Sequence, residues 1–345
     1  MTFSHVGKIN SVAMVGATGL VGREFLDLLH QHRMRIPRIK LYASEESSGQ
    51  SVDLYEAQAD VDELTSDSFD DIEVAFFSVP ADISRKYIPY AVNAGTLVVD
   101  DSHAFRMQND VPLVIPQVNG QLLRDFDGPI IATPNCTVTP LALCLKPLHD
   151  RYTVNRVVVS TYQSASGAGR RTYEELSKQT ISLMNGMSVD SDFPHRFAFN
   201  CIPQIGGTQE DGSSEEEEKI VLETKKILEA PEMKISATAV RVPTFCGHGL
   251  SVNIEMEKTF ENLETVREIL DNFPGLKVLD NPTANIYPTN VECIGSDCTL
   301  VGRIRRDFSV PSGINLWIIT DNLRKGAALN ALEIIETLYS YRAMA

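Results

Sequence analysis

The apolar and polar positions of this chain change rhythm in a way that outlines its elements. Residues 9–15 are mostly apolar, as in a strand buried on both faces, and Gly16-Ala17-Thr18-Gly19-Leu20-Val21-Gly22 follows at once. The spacing then becomes helical, with Leu20, Val21, Phe25, Leu28 and Leu29 on one side of a helix predicted over residues 20–29. Short apolar runs recur at residues 39–43, 74–77, 97–99 and 129–132, with helix-compatible stretches at 87–92 and 138–148. Alternating β and α segments of this kind predict a parallel, doubly wound sheet.

Beyond residue 150 the texture changes. Residues 154–162 alternate less cleanly and end in the small-residue loop 163–169; residues 186–213, rich in Gly, Ser, Asn and Pro, read as a long surface excursion. Ser214 to Glu217 forms a capping box that opens a helix over 215–229, with Ile220, Thr224, Ile227 and Leu228 as its buried stripe. Glu216 continues that stripe at the first turn, and Lys219 lies beside it. Residues 234–245 alternate as a strand with Ile235, Ala237, Ala239 and Arg241 on one side. Cys246 to Gly249 turns the chain into a strand over 250–256, and further strands at 300–304 and 316–319 indicate a mixed or antiparallel sheet. Residues 326–341 read as a strongly amphipathic helix packing back onto the first domain. The domain reading is 1–134 with 323–345, and 135–322.

Composition narrows the function classes. The formal charge of −15 argues against nucleic acid or an anionic membrane as partner, since either would repel the chain. No apolar run approaches a membrane span, and the N-terminal residues lack a signal-peptide pattern. The six cysteines are scattered without metal-ligand spacing and read as reduced thiols of a cytoplasmic protein, with no metal site.

Within that frame a few residues carry candidate chemistry. Strand, glycine turn and helix is the context a dinucleotide fingerprint requires: Gly16 for the tight turn, Gly19 for backbone approach to a pyrophosphate, Gly22 for close helix packing. An ordinary strand-to-helix turn is the alternative. The second strand leads into Ser44-Glu45-Glu46-Ser47-Ser48-Gly49, either the ribose site of such a fold or a solvated loop. Cys136 falls at a strand-to-helix turn, where a helix N-terminus favours the nucleophilic thiolate; filling core space is its bland alternative. Glu215 to Glu218 by themselves read first as a solvated acidic helix start favoured by the helix dipole. Arg241, on a small-residue side, needs an anionic partner if buried. His248, flanked by glycines, has room for something to approach it, or is one more structural histidine.

With these residues in view, the whole chain resembles the aspartate-semialdehyde dehydrogenase family. The resemblance runs in family order through Gly16 to Gly22, Ala104-Phe105-Arg106, Pro134-Asn135-Cys136-Thr137, Tyr162-Gln163, Ser166-Gly167-Ala168-Gly169, Arg241-Val242-Pro243, His248, Val301 to Arg305, and Asp321 to Ala328. The nucleotide turn is shared with other dehydrogenases; the cysteine turn with Arg241 and His248 separates this family from them. The resemblance implies an α/β fold, a Rossmann-type nucleotide-binding domain plus an α+β catalytic and dimerisation domain like that of glyceraldehyde-3-phosphate dehydrogenase. It implies reversible reductive dephosphorylation of L-aspartyl 4-phosphate to L-aspartate 4-semialdehyde, with release of phosphate, in the synthesis of lysine, threonine, methionine and diaminopimelate. By position, Cys136 is then the nucleophile that forms a thioester, His248 the acid/base, and Gln163 the group orienting the acyl intermediate. Arg241 would take the substrate's α-carboxylate, Glu216 its ammonium, Arg106 and Lys219 its phosphate, and Asn135 the phosphate or oxyanion. The cofactor would run along Gly16, Ala17, Thr18, Gly19, Leu20 and Val21, with Ser44, Ser47 and Ser78 beside it, Ser166 and Gly167 against it, and Asn322 near the nicotinamide. A homodimer or homotetramer is implied, formed largely by the second domain's sheet.

The chain also departs from the family pattern. Glu46 stands where a basic residue commonly favours NADP, which weakens that assignment and makes NAD the alternative; NADP stays the expected cofactor, with Ser44 and Ser47 able to accommodate its phosphate. Ser78-Val79-Pro80-Ala81 replaces a glycine-rich turn, Asp101 an amide, and Gly249-Leu250 a Ser-Glu pair. The nearest rival enzyme, an N-acetyl-glutamyl-phosphate reductase, has no substrate ammonium for Glu216 to meet. The second cysteine usual in glyceraldehyde-3-phosphate dehydrogenase is absent. A non-catalytic nucleotide-binding homologue would be expected to lose Cys136 or His248, and both are present.

Overall fold

A computed structural model describes residues 3–344. The chain forms two compact units, one running to Asn135 and resuming at Ala327, the other spanning Cys136–Gly326.

The first unit is built on a six-stranded sheet. Its elements are β1 (Ser11–Val15), α1 (Leu20–Gln31), β2 (Arg38–Ala43), the hairpin β3 (Ser51–Leu54) and β4 (Ala57–Asp60), β5 (Asp62–Glu63), β6 (Val74–Phe77), α2 (Ala81–Asn93), β7 (Leu97–Asp100), α3 (Pro116–Asn119) and β8 (Ile130–Ala132). The sheet runs β5-β2-β1-β6-β7-β8 with every pairing parallel. Strand alternation divides its apolar residues between two cores. Val12, Met14 and Phe76 join Phe25, Leu28 and Leu29 of α1, while Ala13, Val15 and Phe77 join Ile88 and Ala91 of α2. Burial on both faces is why these strands read as continuous apolar runs. The hairpin β3–β4 had no clear sequence signal: only Val52 is buried in it, and its turn carries Tyr55 at φ +56 where Asn-Gly or Asp-Gly is usual.

The second unit holds α4 (Val138–Tyr152), β9 (Val154–Gln163), α5 (Arg170–Met184), α6 (Glu215–Ile227), β10 (Lys234–Arg241), β11 (His248–Met256), α7 (Leu263–Asp271), β12 (Leu276–Val278), α8 (Asn290–Cys293), β13 (Thr299–Asp307) and β14 (Gly313–Thr320). Its sheet is mixed, in the order β10-β9-β11-β14-β13-β12, with β9–β10 and β12–β13 parallel and the rest antiparallel. The expected capping box is present: Ser214 Oγ accepts from Glu217 N and Glu217 Oε2 accepts from Ser214 N at 2.7 Å. The 186–213 stretch is more than a surface excursion, since Phe197 and Ala198 pack on Ala165, Leu176 and Leu183.

A π-helical turn, Arg324–Ala328, leads into α9 (Leu329–Met344), which packs in the core of the first unit. The strongly amphipathic reading of this helix is corrected here. It is buried nearly all round through its first ten residues, even at Asn330, Glu333 and Glu336. Polar residues there are accommodated by specific bonds: Asn330 Nδ2 donates to Val114 O, and Glu336 accepts from His5 N and Val6 N. Among the described residues no helix is long and apolar enough to cross a membrane.

Candidate active site

The glycine turn of the first unit is shaped by close approach. Gly16 has φ +93, and a Cβ on it would lie 2.3 Å from Ser78 O; a Cβ on Gly22 would lie 2.3 Å from Gly16 O. Gly19 caps α1 without a side chain, so the unpaired N–H groups of the first helical turn are not covered by a capping residue. This is a cradle into which an anionic group can descend, and it fits a dinucleotide pyrophosphate. Ser44 and Glu46 are exposed after β2, with Ser47 partly so.

Further along the same unit, Arg106 is buried and its Nη2 donates to Asp101 O at 2.7 Å. Thr133 Oγ1 donates to Asp101 Oδ1 at 2.7 Å, two residues before the buried Asn135. Burial pushes the Asp101 carboxyl up to about 6, against the pull of Arg106 and the Thr133 hydroxyl.

Cys136 opens the second unit, in the turn between β8 and α4, as the apolar pattern predicts. It is partly exposed and not in a disulfide. Gly326 leaves it room, since a Cβ there would sit 3.1 Å from Cys136 Cβ. Strand register assembles what surrounds it. Arg241, last in β10, pairs with Gln163, last in β9; His248, first in β11, pairs with Thr320, last in β14. One end of the sheet therefore gathers Gln163, Arg241, His248 and Asn322, residues far apart in sequence.

The hydrogen bonds there are short and buried. Gln163 Nε2 donates to Glu216 Oε1 at 2.9 Å, and its carbonyl side accepts from Thr161 Oγ1 at 3.0 Å. Glu216 is 6% exposed, which sets aside the solvated-helix alternative for it; Glu215 and Glu218 are the exposed ones. Lys219 Nζ stands 3.7 Å from Glu216 Oε2. Arg241 donates from Nη1 to Ser164 O at 2.6 Å, and Glu216 and Cys136 are its electrostatic partners. Burial works against its charge, and those two groups work for it. His248 is fully buried rather than open to approach, and burial, with Arg241 nearby, pushes its imidazole down to about 3. Gly167 lies against its Nε2, and Ser166 and Asn322 bond to each other beside Ser164. A cavity of ≈ 900 Å³ opens over Gly167, Glu216, Lys219 and Arg241, walled on its far side by residues of the 193–206 stretch. Sequence reasoning missed Ser164, Thr161 and this wall. Ser164 stands between two motif residues, but nothing in a lone buried hydroxyl marks it.

A parallel sheet with a glycine-turn nucleotide cradle, and a mixed sheet whose end gathers a cysteine, a histidine and opposed charges, define a dehydrogenase with a nucleotide domain and a separate domain for chemistry. Two family models match accordingly: the semialdehyde dehydrogenase NAD binding domain over residues 11–126 and the semialdehyde dehydrogenase dimerisation domain over residues 145–325. The chain is 43% identical to the aspartate-semialdehyde dehydrogenase of Aquifex aeolicus over 331 residues, covering 95% of this chain and 97% of that one. Among solved structures, aspartate semialdehyde dehydrogenase II of Vibrio cholerae, complexed with ASA, superposes with a TM-score of 0.90 at 38% identity, covering 96% and 98% of the two chains. The Candida albicans enzyme with NADP superposes at 0.75 and 25% identity, covering 97% and 99%. The chain belongs to the aspartate-semialdehyde dehydrogenase family.

Proposed function

We propose that the chain interconverts L-aspartyl 4-phosphate and L-aspartate 4-semialdehyde through a thioester on Cys136. The observation that carries this is the grouping of the buried Glu216 and Arg241 with the partly exposed Cys136, in which a carboxylate and a thiol both act electrostatically on one guanidinium. An amino acid whose α-carboxylate lies on Arg241 and whose ammonium lies on Glu216 can present its side-chain carbonyl to the sulfur. Arg241 also attracts an anionic sulfur, the form that attacks.

In the biosynthetic direction, Cys136 Sγ attacks the acyl carbon, the C–O bond to phosphate breaks, and phosphate leaves with the electron pair. The family resemblance gives Lys219, Arg106 and Asn135 the roles of positive charge and hydrogen-bonding partner for that leaving group. A nicotinamide dinucleotide, when bound on the first unit, supplies the hydride that reduces the thioester. The resulting hemithioacetal then collapses, the C–S bond breaking to release aldehyde and regenerate the thiolate. Gln163 orients the acyl group, held by Thr161 and Glu216, while His248 serves the hemithioacetal oxygen from its Nε2 edge.

Gly16, Ala17, Thr18, Gly19, Leu20, Val21 and Ser78 would hold the dinucleotide, with Ser166, Gly167 and Asn322 toward the nicotinamide. Ser44 and Ser47 would receive the 2′-phosphate of NADP. NAD is the second reading, favoured by the exposed Glu46 carboxylate in the same turn, which repels a phosphate. We place the homodimer contact on the second sheet, where Tyr162 is 42% exposed with its ring 5.3 Å from that of Trp317.

The test compares phosphate-dependent reduction of NADP, and separately NAD, by L-aspartate 4-semialdehyde in the wild type and Cys136→Ala. Turnover that vanishes in the variant, with a semialdehyde-derived acyl adduct on Cys136 by mass spectrometry in the wild type, supports the covalent route. A fully active Cys136→Ala protein would sink it.

A further inference from the structure

Resting on the reading of His248 as the group that serves the hemithioacetal oxygen, we propose that Ser164 is a positioning residue that locks His248 in the neutral tautomer carrying its proton on Nε2. His248 would then act as a neutral hydrogen-bond donor rather than as a base toward the thiol.

The geometry at Nδ1 decides the tautomer. Ser164 N lies 3.1 Å from His248 Nδ1, and a backbone N–H can only donate. Nδ1 therefore presents its lone pair, and the proton of the neutral ring sits on Nε2. Ser164 Oγ is also 3.1 Å from Nδ1, a second potential donor at the same nitrogen.

What lies behind Ser164 lets its hydroxyl donate. Asn322 Oδ1 accepts from Gly247 N at 3.0 Å, which orients the amide so that Nδ2 donates to Ser166 Oγ at 3.0 Å. The Ser166 hydroxyl, 3.0 Å from Ser164 Oγ, can pass its own proton there, leaving the Ser164 proton to point at Nδ1. The alternative, with the hydroxyls turned to Asn322 Oδ1 at 3.2 and 3.1 Å, frees Ser164 Oγ to accept, but the backbone N–H cannot turn round. Protonating Nδ1 would set one N–H against another in a buried site. Hydrogen bonds that require the neutral form oppose the charged one. At its other end the ring holds a buried Nε2 with no hydrogen-bond partner, close to Gly167. Among the charged groups around the ring, Arg241 of β10 opposes a second positive charge, and Glu216 of α6 and Cys136 before α4 are engaged with Arg241; the Gly247 backbone acts the other way, favouring the protonated ring, and is outweighed by burial and Arg241. Ser164 also accepts Arg241 Nη1 on its carbonyl, so one residue sets both the proton donor and the carboxylate-binding cation.

The test is ¹⁵N NMR of the full chain labelled at histidine, with the His248 signal identified by its loss in His248→Asn. We expect a protonated Nε2 and an unprotonated Nδ1 from about pH 5 to about pH 8. Ser164→Ala, which keeps the backbone N–H and removes only the hydroxyl donor, should keep the proton on Nε2 and raise the ring's protonation midpoint by roughly one pH unit, with the acidic limb of kcat/KM moving in parallel. Ser166→Ala, one bond further back, should move it in the same direction by less. A wild-type ring protonated on Nδ1, or charged at neutral pH, overturns the proposal. So does a Ser164→Ala protein whose midpoint and pH profile both stay put. The spectrum needs no turnover, so the tautomer can fail while Cys136 chemistry stands, and the reverse.

Discussion

Replacing Gly167 by alanine tests whether the loop after β9 holds His248 in its working position. A Cβ on residue 167 would fall 2.6 Å from His248 Nε2, 2.8 Å from its Cε1 and 3.0 Å from Arg241 Nη1. Ordinary contact begins at 3.4 Å, so the ring must retreat by about 0.8 Å or the loop must rise by as much. Residue 167 is exposed and its φ lies outside the left-handed range, so alanine brings no backbone strain of its own. The ring has little freedom to yield, because its opposite edge is bonded to Ser164. A misplacement of roughly 1 Å in a reacting group can cost about 100-fold in rate. We expect kcat in the phosphate-dependent oxidation of the semialdehyde to fall roughly 10- to 100-fold, with the thermal midpoint little changed. Circular dichroism and a melting curve establish folding, and initial rates at saturating cofactor read the effect. A folded variant with full turnover would refute the reasoning, because the loop rather than the ring would then have absorbed the added carbon.

Two further outcomes follow from the buried charges. Glu216→Gln keeps a side chain for Gln163 and Arg241 to meet but removes the carboxylate, so KM for the amino-acid substrate should rise roughly 10- to 100-fold while kcat moves less; an unchanged KM would remove Glu216 from ammonium binding. The pH dependence of stability gives the second. His248 is held near 3 against 6.5 when unfolded, so across that window the unfolded chain binds the extra proton. Its contribution is present above 6.5 and lost as pH falls toward 3, and the stability gap between wild type and His248→Asn should narrow on acidification. Asp101, raised to about 6 from 3.8, works in the opposite sense: its contribution is lost as pH rises from 3.8 to 6, and Asp101→Asn should gain on the wild type through that interval. Urea unfolding at a series of pH values reads both, and parallel stability curves would contradict them.

Much of this protein is legible in its sequence. A parallel strand buried on both faces has to be apolar throughout, and an amphipathic helix has to repeat its apolar positions, so β1, β6, β7, α1 and the start of α6 announce themselves locally. The glycine turn at Gly16 and the placement of Cys136 between strand and helix follow from the same local rules. Residues 326–341 were legible as a helix, but its surroundings were not. Whether Asn330 and Glu336 meet water or the partners the core supplies is decided by segments more than two hundred residues away. The β3–β4 hairpin escaped because an exposed strand with an atypical turn leaves little pattern to read. Helical spacing already set Glu216, one of four consecutive glutamates, on the buried stripe of α6; only tertiary structure could show that it meets Gln163 and acts on Arg241 there. Only strand register could bring Arg241 level with Gln163 and His248 level with Thr320, and so turn Ser164 from an unremarked loop residue into the contact shared by an imidazole and a guanidinium. Backbone periodicity is a local property and is written in the sequence; the meeting of side chains from distant strands depends on register and burial, which the chain acquires only when it folds.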